Sequence, residues 1–190
     1  MEDLKNIIES FLFVAEGPLT VERIHSILAP IDKKEIKDTL NELLEEYKTR
    51  KGGVHLRIIA GGYQIRTRPE YKDWIKRFIQ PKAFRLSKAA LETIAIIAYK
   101  QPIIRSDIEH IRGVDCGGVL RMLLERKLIR ILGRKEIPGR PLIYATTKQF
   151  LEVFDLKDLK DLPTPQEIES LENESSKNPD EKHTEKGKNT

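Results

Sequence analysis

Apolar residues fall at Leu4, Ile7, Ile8, Phe11, Leu12 and Ala15, the i, i+3, i+4 spacing of one helical face. Gly17-Pro18 stops that pattern. A short second helix follows, with Thr20 as its N-cap and Val21, Ile24, Ile27 and Leu28 pointing inward. Asp32, with Glu35 three residues on, caps a longer third helix whose apolar face is Ile36, Leu40, Leu43, Leu44 and Tyr47, and Gly52-Gly53 closes it. "VHLRIIA" and "YQIRTRP" then have strand character and are separated by Gly61-Gly62, which predicts a hairpin. A last short helix carries Tyr71, Trp74, Ile75 and Phe78. At helical spacing such a stripe is expected to be core, with a dimer face as the other reading.

The order helix, helix, helix, hairpin recurs when the register is shifted by 84 residues. Ile7 then falls on Leu91, Leu12 on Ile96, Phe13 on Ile97, Pro18 on Pro102, Leu19 on Ile103, Ile24 on Ile108, Ile27 on Ile111, Ile36 on Leu120, Leu40 on Leu124 and Leu44 on Leu128. The second copy has its own start signals: Ser87, Ser106 with Glu109 as a capping box, and Asp115 before "CGGVLRMLLERK". "LIRIL" and "LIYAT" supply its strands, and "GRKEIPGRP" lies between them. Three helices finished by a two-stranded ribbon describe a winged helix, a helix-turn-helix variant. The expected fold is therefore mainly α with small β hairpins, built as tandem winged-helix domains. Residues 1–80 form the N-terminal domain, 81–85 a linker, 86–162 the C-terminal domain and 163–190 a polar tail with the composition of disorder.

Composition sharpens this picture in two ways. Aromatic residues make up 6% and charged residues 34% of the 190, so the cores must be mostly aliphatic. The net charge of +4 is unevenly spread: residues 86–150 hold 12 basic against 6 acidic side chains, and residues 151–190 hold 6 against 11. Such a basic middle permits contact with nucleic acid or with an acidic partner. The acidic start "MEDLKNIIES" does not read as a signal peptide and no apolar run is long enough to span a bilayer, so a cytoplasmic protein is expected.

Candidate chemistry is sparse. Cys116 is the sole cysteine, and the histidines at 25, 55, 110 and 183 are scattered, so neither a metal site, a cofactor site nor a catalytic constellation is expected. A helix start favours a Cys116 thiolate, but the neighbouring Asp115 opposes it. A winged helix that reads DNA presents Arg, Lys, Asn or Gln on its third helix. Here the first copy offers Glu35, Asp38, Glu42, Glu45 and Glu46 beside Lys33, Lys34 and Lys37, while the second offers Gly117, Gly118, Arg121, Met122 and Glu125. Two glycines in one helical turn cost about 1 kcal/mol each relative to alanine, so close approach of another backbone is expected there. In "IPGR", Pro138 and Gly139 suit the second and third positions of a type II turn, and Pro141 is expected to hold Arg140 extended. Arg134, Lys135 and Arg140 then form a basic tip, read equally as a solvated turn or as a partner contact. The candidate partner-binding residues are Gly117, Gly118, Arg121, Arg134, Arg140 and Tyr144.

The stretch "LSKAALETIAIIAYKQPIIRSDIEHIRGVDCGGVLRMLLERKLIRILGRKEIPGRPLIYATT", which begins at Leu86 and continues its likeness to Pro163, closely resembles the segregation and condensation protein B (ScpB) family. "AEGPLTVERI" and "GGYQIRT" resemble that family's N-terminal domain more loosely. The resemblance implies a non-enzymatic accessory subunit of the bacterial condensin-like complex. It implies a homodimer formed largely through the N-terminal domain, which binds the kleisin subunit, segregation and condensation protein A (ScpA), and through it a structural-maintenance-of-chromosomes (SMC) ATPase on the nucleoid. DNA contact would then be indirect or weak and non-specific. The alternative from a different class is a winged-helix transcriptional regulator, for which the fold and a pI near 9.0 speak. Strong preference for one DNA site would distinguish it.

Overall fold

The computed structural model describes residues 2–79, 85–164 and 166–168. The expected linker, apart from Arg85, and the tail beyond residue 168 lie outside the described residues. The described residues up to Asp158 form one compact unit and those from Leu159 on a second. In the second, Leu159–Asp161 is a 3-10 turn. There the Thr164 hydroxyl accepts from the Glu167 N–H at 3.3 Å, and the Glu167 carboxylate accepts from the Thr164 N–H at 2.6 Å.

The first unit is mainly helical, with two small antiparallel sheets, and is a tandem winged helix. Its first set of elements runs α1 (Glu2–Val14), α2 (Val21–Leu28), α3 (Lys33–Thr49), β1 (Val54–Ile59), β2 (Gly62–Thr67) and, after a 3-10 turn at Pro69–Tyr71, α4 (Lys72–Ile79). Thr20 caps α2 by accepting from the Arg23 N–H, and Asp32 caps α3 by accepting from the Lys34 N–H at 2.7 Å. Leu4, Ile8 and Leu12 of α1 pack with Ile24 of α2, with Ile36, Leu40, Leu43 and Tyr47 of α3, and with Leu56 and Tyr63 of the hairpin. Ile27, expected inside, is 51% exposed because the buried stripe of this short helix is centred on Ile24.

The second set runs α5 (Lys88–Lys100), β3 (Ile103–Ile104), α6 (Arg105–Arg112), α7 (Gly117–Glu125), β4 (Ile129–Arg134), β5 (Leu142–Thr146) and α8 (Lys148–Val153). Ser87 caps α5, as expected, by accepting from the Ala90 N–H. Ser106 does not cap α6. Strand β3 runs directly into that helix, Ile104 occupies the cap position without a side-chain bond, and Ser106 lies inside the first turn. Strand β3 itself was not expected. It pairs with β5, giving the order β3-β5-β4, and its counterpart in the first set is the single bridge Leu19↔Tyr63.

The two sets do not share one gapless register. Ile24, Ile36 and Ile108 are fully buried and Leu120 nearly so, which fits the shift of 84. In the first helix the shift is 86: Leu4, Ile8 and Leu12 correspond to buried Ala90, Ile94 and Ala98, whereas Phe13 is exposed and Ile97 buried. The connection from α5 to α6 is two residues shorter than that from α1 to α2, which absorbs the difference. The first hairpin turn also differs from expectation. Ile59 pairs with Gly62, so Ala60 and Gly61 form the turn, with φ of 50° and 74°, and Gly62 is part of the strand.

A short segment after α8 reaches back to the first hairpin. The Ala60 and Gly61 N–H groups donate to the carbonyls of Leu156 and Lys157, both at 3.0 Å. Asp155 accepts from Arg57 and, at 3.3 Å, from Arg66, whose guanidinium also donates to the Glu152 carbonyl at 3.2 Å. These ion pairs are partly solvated and contribute no more than about 1 kcal/mol each.

Candidate partner-binding surface

The turn between α6 and α7 is organised by Arg105. Its Nε donates to Glu109 one helical turn ahead at 2.6 Å, and its Nη2 to Asp115. Glu109 also accepts from the Cys116 N–H at 3.1 Å, and Asp115 from the Gly117 N–H at 3.1 Å. The two carboxylates thus serve backbone donors left open at the start of α7 while neutralising the guanidinium. The Arg105 hydrogen bond is the main reason that the Glu109 carboxyl is held below the usual carboxylate range.

Gly117 follows from that geometry. A Cβ there would sit 2.9 Å from Arg105 Nη1. What approaches Gly117 from within this chain is therefore the Arg105 guanidinium, a side chain and not a backbone. Gly118 faces open space. Gly118→Ala should accordingly stabilise the protein by roughly 0.5–1 kcal/mol through helix propensity, read as a higher urea midpoint at unchanged slope. Gly117→Ala should gain less, since the Arg105 fork must shift. Equal gains would argue against the arginine fork as the constraint.

Arg121 stands exposed one turn further along α7. On the wing, the Arg140 N–H donates to the Ile137 carbonyl at 2.9 Å and Gly139 has φ +83°, which is the expected type II turn over Pro138-Gly139. Arg140 is not extended. It has φ 40°, in the left-handed region, where the extended conformation favoured before proline was expected. Its side chain folds onto Glu136 at 2.8 Å, and Arg134 donates to its carbonyl at 3.0 Å, so both arginines of the tip have partners within the wing. Tyr144, grouped with these residues from the sequence, is 6% exposed in the central strand of the sheet, between Ile103 and Ile131. Its ring belongs to the interior, in the run of buried residues Tyr144, Ala145 and Thr146 that ends the strand. Burial pushes its hydroxyl pKa up, against the pull of the Arg105 charge.

The structure thus puts Gly117, Gly118 and Arg121 together on α7, and Arg134 and Arg140 on the wing. Sequence reasoning missed Arg105, although its i, i+4 spacing to Glu109 was readable. It also missed the exposed Ile131, Leu132 and Ile137 of the wing. A register shift between Ile131 and Gly133 signals a local β-bulge in β4 and breaks strict alternation there.

Cys116 is buried beneath this turn, and burial followed by the Glu109 charge pushes its thiol pKa up, so the sulfur is held protonated at neutral pH. Among the described residues no group of three or more His, Cys, Asp or Glu side chains could hold a metal ion, and no helix is long and apolar enough to cross a membrane.

A family profile described as segregation and condensation complex subunit ScpB matches residues 6–165. The segregation and condensation protein B of Syntrophotalea carbinolica is 48% identical over 173 residues, covering 91% of this chain and 87% of that one. That of Moorella thermoacetica is 43% identical over 174 residues, covering 92% and 89%. The crystal structure of ScpB from Mycobacterium tuberculosis is 29% identical and covers 80% of this chain and 95% of that chain at a TM-score of 0.38.

Proposed function

Since the chain belongs to the family of segregation and condensation complex subunit ScpB, we propose that it is a non-enzymatic accessory subunit that works as a homodimer and binds the kleisin ScpA, and through it the SMC ATPase. In this reading residues 1–80 dimerise, residues 86–162 hold the partner, and the complex acts in the cytoplasm on the nucleoid.

The observation that carries the reading is the start of α7. A winged helix that grips DNA turns cationic and amide side chains of its third helix toward bases and phosphates. Here that position has a glycine floor, an arginine already paired with Glu109 and Asp115, and Arg121 alone in the helix body. The exposed wing residues Ile131, Leu132 and Ile137 add apolar surface suited to another polypeptide. The third helix of the first set supports the same reading. Its outward face collects Asp38, Glu42, Glu45 and Glu46, which would repel phosphate.

Light scattering of the protein alone and with ScpA tests both halves of the reading: a dimer that takes up ScpA is expected, and a monomer, or a dimer that ignores ScpA, refutes it. Charge reversal of Arg121 and Arg140 together should weaken ScpA binding by about tenfold or more while leaving the circular dichroism and the unfolding midpoint unchanged. Undiminished affinity would remove this surface from the interface.

A further inference from the structure

The helices and strands that pack extensively on one another do so within their own set. Helix α4, which ends the first set, does not bridge to the second. It packs against the 3-10 turn before it, and the stripe of Tyr71, Trp74, Ile75 and Phe78, expected to be core, is surface, with Trp74 68% and Phe78 87% exposed. Chain connection through residues 80–84 therefore tethers the second set at one end only. Domains that meet over a small polar contact move independently by default, so a contact that stops them has to be specific.

The segment after α8 is such a contact, and it is built around Asp155. The Leu156 N–H reaches back to the Leu151 carbonyl at 2.8 Å, the bond of a helix end that closes through a left-handed residue. Asp155 is that residue, with φ 58°. Glycine takes such a position at lower conformational cost, so an aspartate there needs a reason. Its carboxylate supplies one by accepting from Arg57 of β1 and Arg66 of β2, while Arg66 also takes the Glu152 carbonyl in the last turn of α8. The next two residues then hold their carbonyls against the Ala60 and Gly61 N–H groups. Ala60 is 8% exposed in consequence, although it sits in a hairpin turn.

We propose that Asp155 is the pin of a clasp that makes the two winged helices one rigid body. With the carboxylate in place, the Leu156 and Lys157 carbonyls stay on the hairpin tip; without it, the second winged helix is held by the chain connection alone. The clasp can open, because the side chains of Asp155, Arg57 and Arg66 are 38%, 42% and 32% exposed and dissolved ions screen their attraction. Closed, it offers a partner that touches both winged helices one preset arrangement instead of two bodies to align. The inference is independent of the homodimer and ScpA readings above.

The test uses the full chain. Asp155→Gly eases the left-handed helix end while deleting the carboxylate, so a residue that merely terminates α8 would lose nothing by it. As the pin, its loss should make amide nitrogen relaxation report separate tumbling times for the two winged helices, where the wild type gives a common one. Amide exchange at Ala60 and Gly61 should accelerate roughly tenfold or more, while Leu128, Thr146 and Leu156 keep their wild-type rates. Arg57→Gln with Arg66→Gln removes the same pairs from the hairpin side and should do likewise. In 1 M sodium chloride, where the screening length falls to about 3 Å, exchange at Ala60 and Gly61 should rise severalfold relative to Leu128 and Thr146 in the wild type and stay level in Asp155→Gly. Wild-type protection at Ala60 and Gly61 in Asp155→Gly overturns the proposal, and so does indifference of the wild type to salt. Equal acceleration at Leu128 and Thr146 in Asp155→Gly overturns it as well, since that reports unfolding of the second winged helix and not release of the clasp.

Discussion

Gly62→Ala should destabilise the protein by roughly 2–3 kcal/mol, whereas Gly53→Ala, nine residues earlier, should change little. A Cβ at residue 62 would lie 2.9 Å from the Leu19 carbonyl oxygen and 3.0 Å from the carbonyl carbons of Leu19 and Pro18. These are backbone atoms and cannot swing aside as a side chain would. They are also held by the reciprocal pair of hydrogen bonds between Leu19 and Tyr63, at 2.9 Å and 2.8 Å, which joins the segment before α2 to the hairpin. Relief of the clash means parting that pair, leaving two partly buried backbone groups to find new partners. At Gly53 nothing lies within 4 Å of the added carbon. Urea denaturation of the two variants decides the matter, and similar midpoints would show that the close approach at Gly62 imposes no constraint.

That contrast also marks what the sequence could show. Gly61-Gly62 announces a hairpin, and a hairpin is there, but the turn is Ala60-Gly61 because the register depends on which side of the ribbon meets the core. Tyr63 and Leu56 face the core, and that alternation leaves Gly62 paired with Ile59. The duplication was legible for the same reason that helices are: buried Ile24, Ile36, Ile108 and Leu120 repeat with a fixed period. Its slip in the first helix was not legible, since Leu12 over Ile96 and Phe13 over Ile97 match in residue type while their exposures differ. Apolar identity does not state which side of a helix is inward.

The candidate site was readable to a smaller degree. Pro138 and Gly139 specify their own turn locally, through ring geometry and positive φ. Gly117 depends on Arg105, twelve residues away, and Tyr144 on its place in a sheet whose third strand is two residues long. Neither follows from local pattern. The aromatic stripe of α4 shows the same limit at larger scale. Periodicity says that Tyr71, Trp74 and Phe78 share a face and is silent on what covers it.

Ile108→Ala is expected to have the largest effect, a loss of about 2–4 kcal/mol. Ile108 is fully buried in α6, as Ile24 is in α2. The helix across from it, α5, contributes Ala90, Thr93, Ile94, Ile97 and Ala98 to the interior. Close packing around a fully buried side chain lets the neighbours relax only partly into the cavity left behind, which sets the range. The loss should spread to the first set of elements along one route. Phe150 of α8 is buried, and the residues that follow α8 supply the Leu156 and Lys157 carbonyls that accept the Ala60 and Gly61 N–H groups. Loosening α6, α7 and their sheet frees that segment. Amide exchange at Ala60 and Gly61 should then accelerate by roughly the same factor as at Leu128 and Thr146, about tenfold for each 1.4 kcal/mol lost. If Ala60 and Gly61 keep wild-type protection while Leu128 and Thr146 lose theirs, the segment after α8 does not couple the two winged helices.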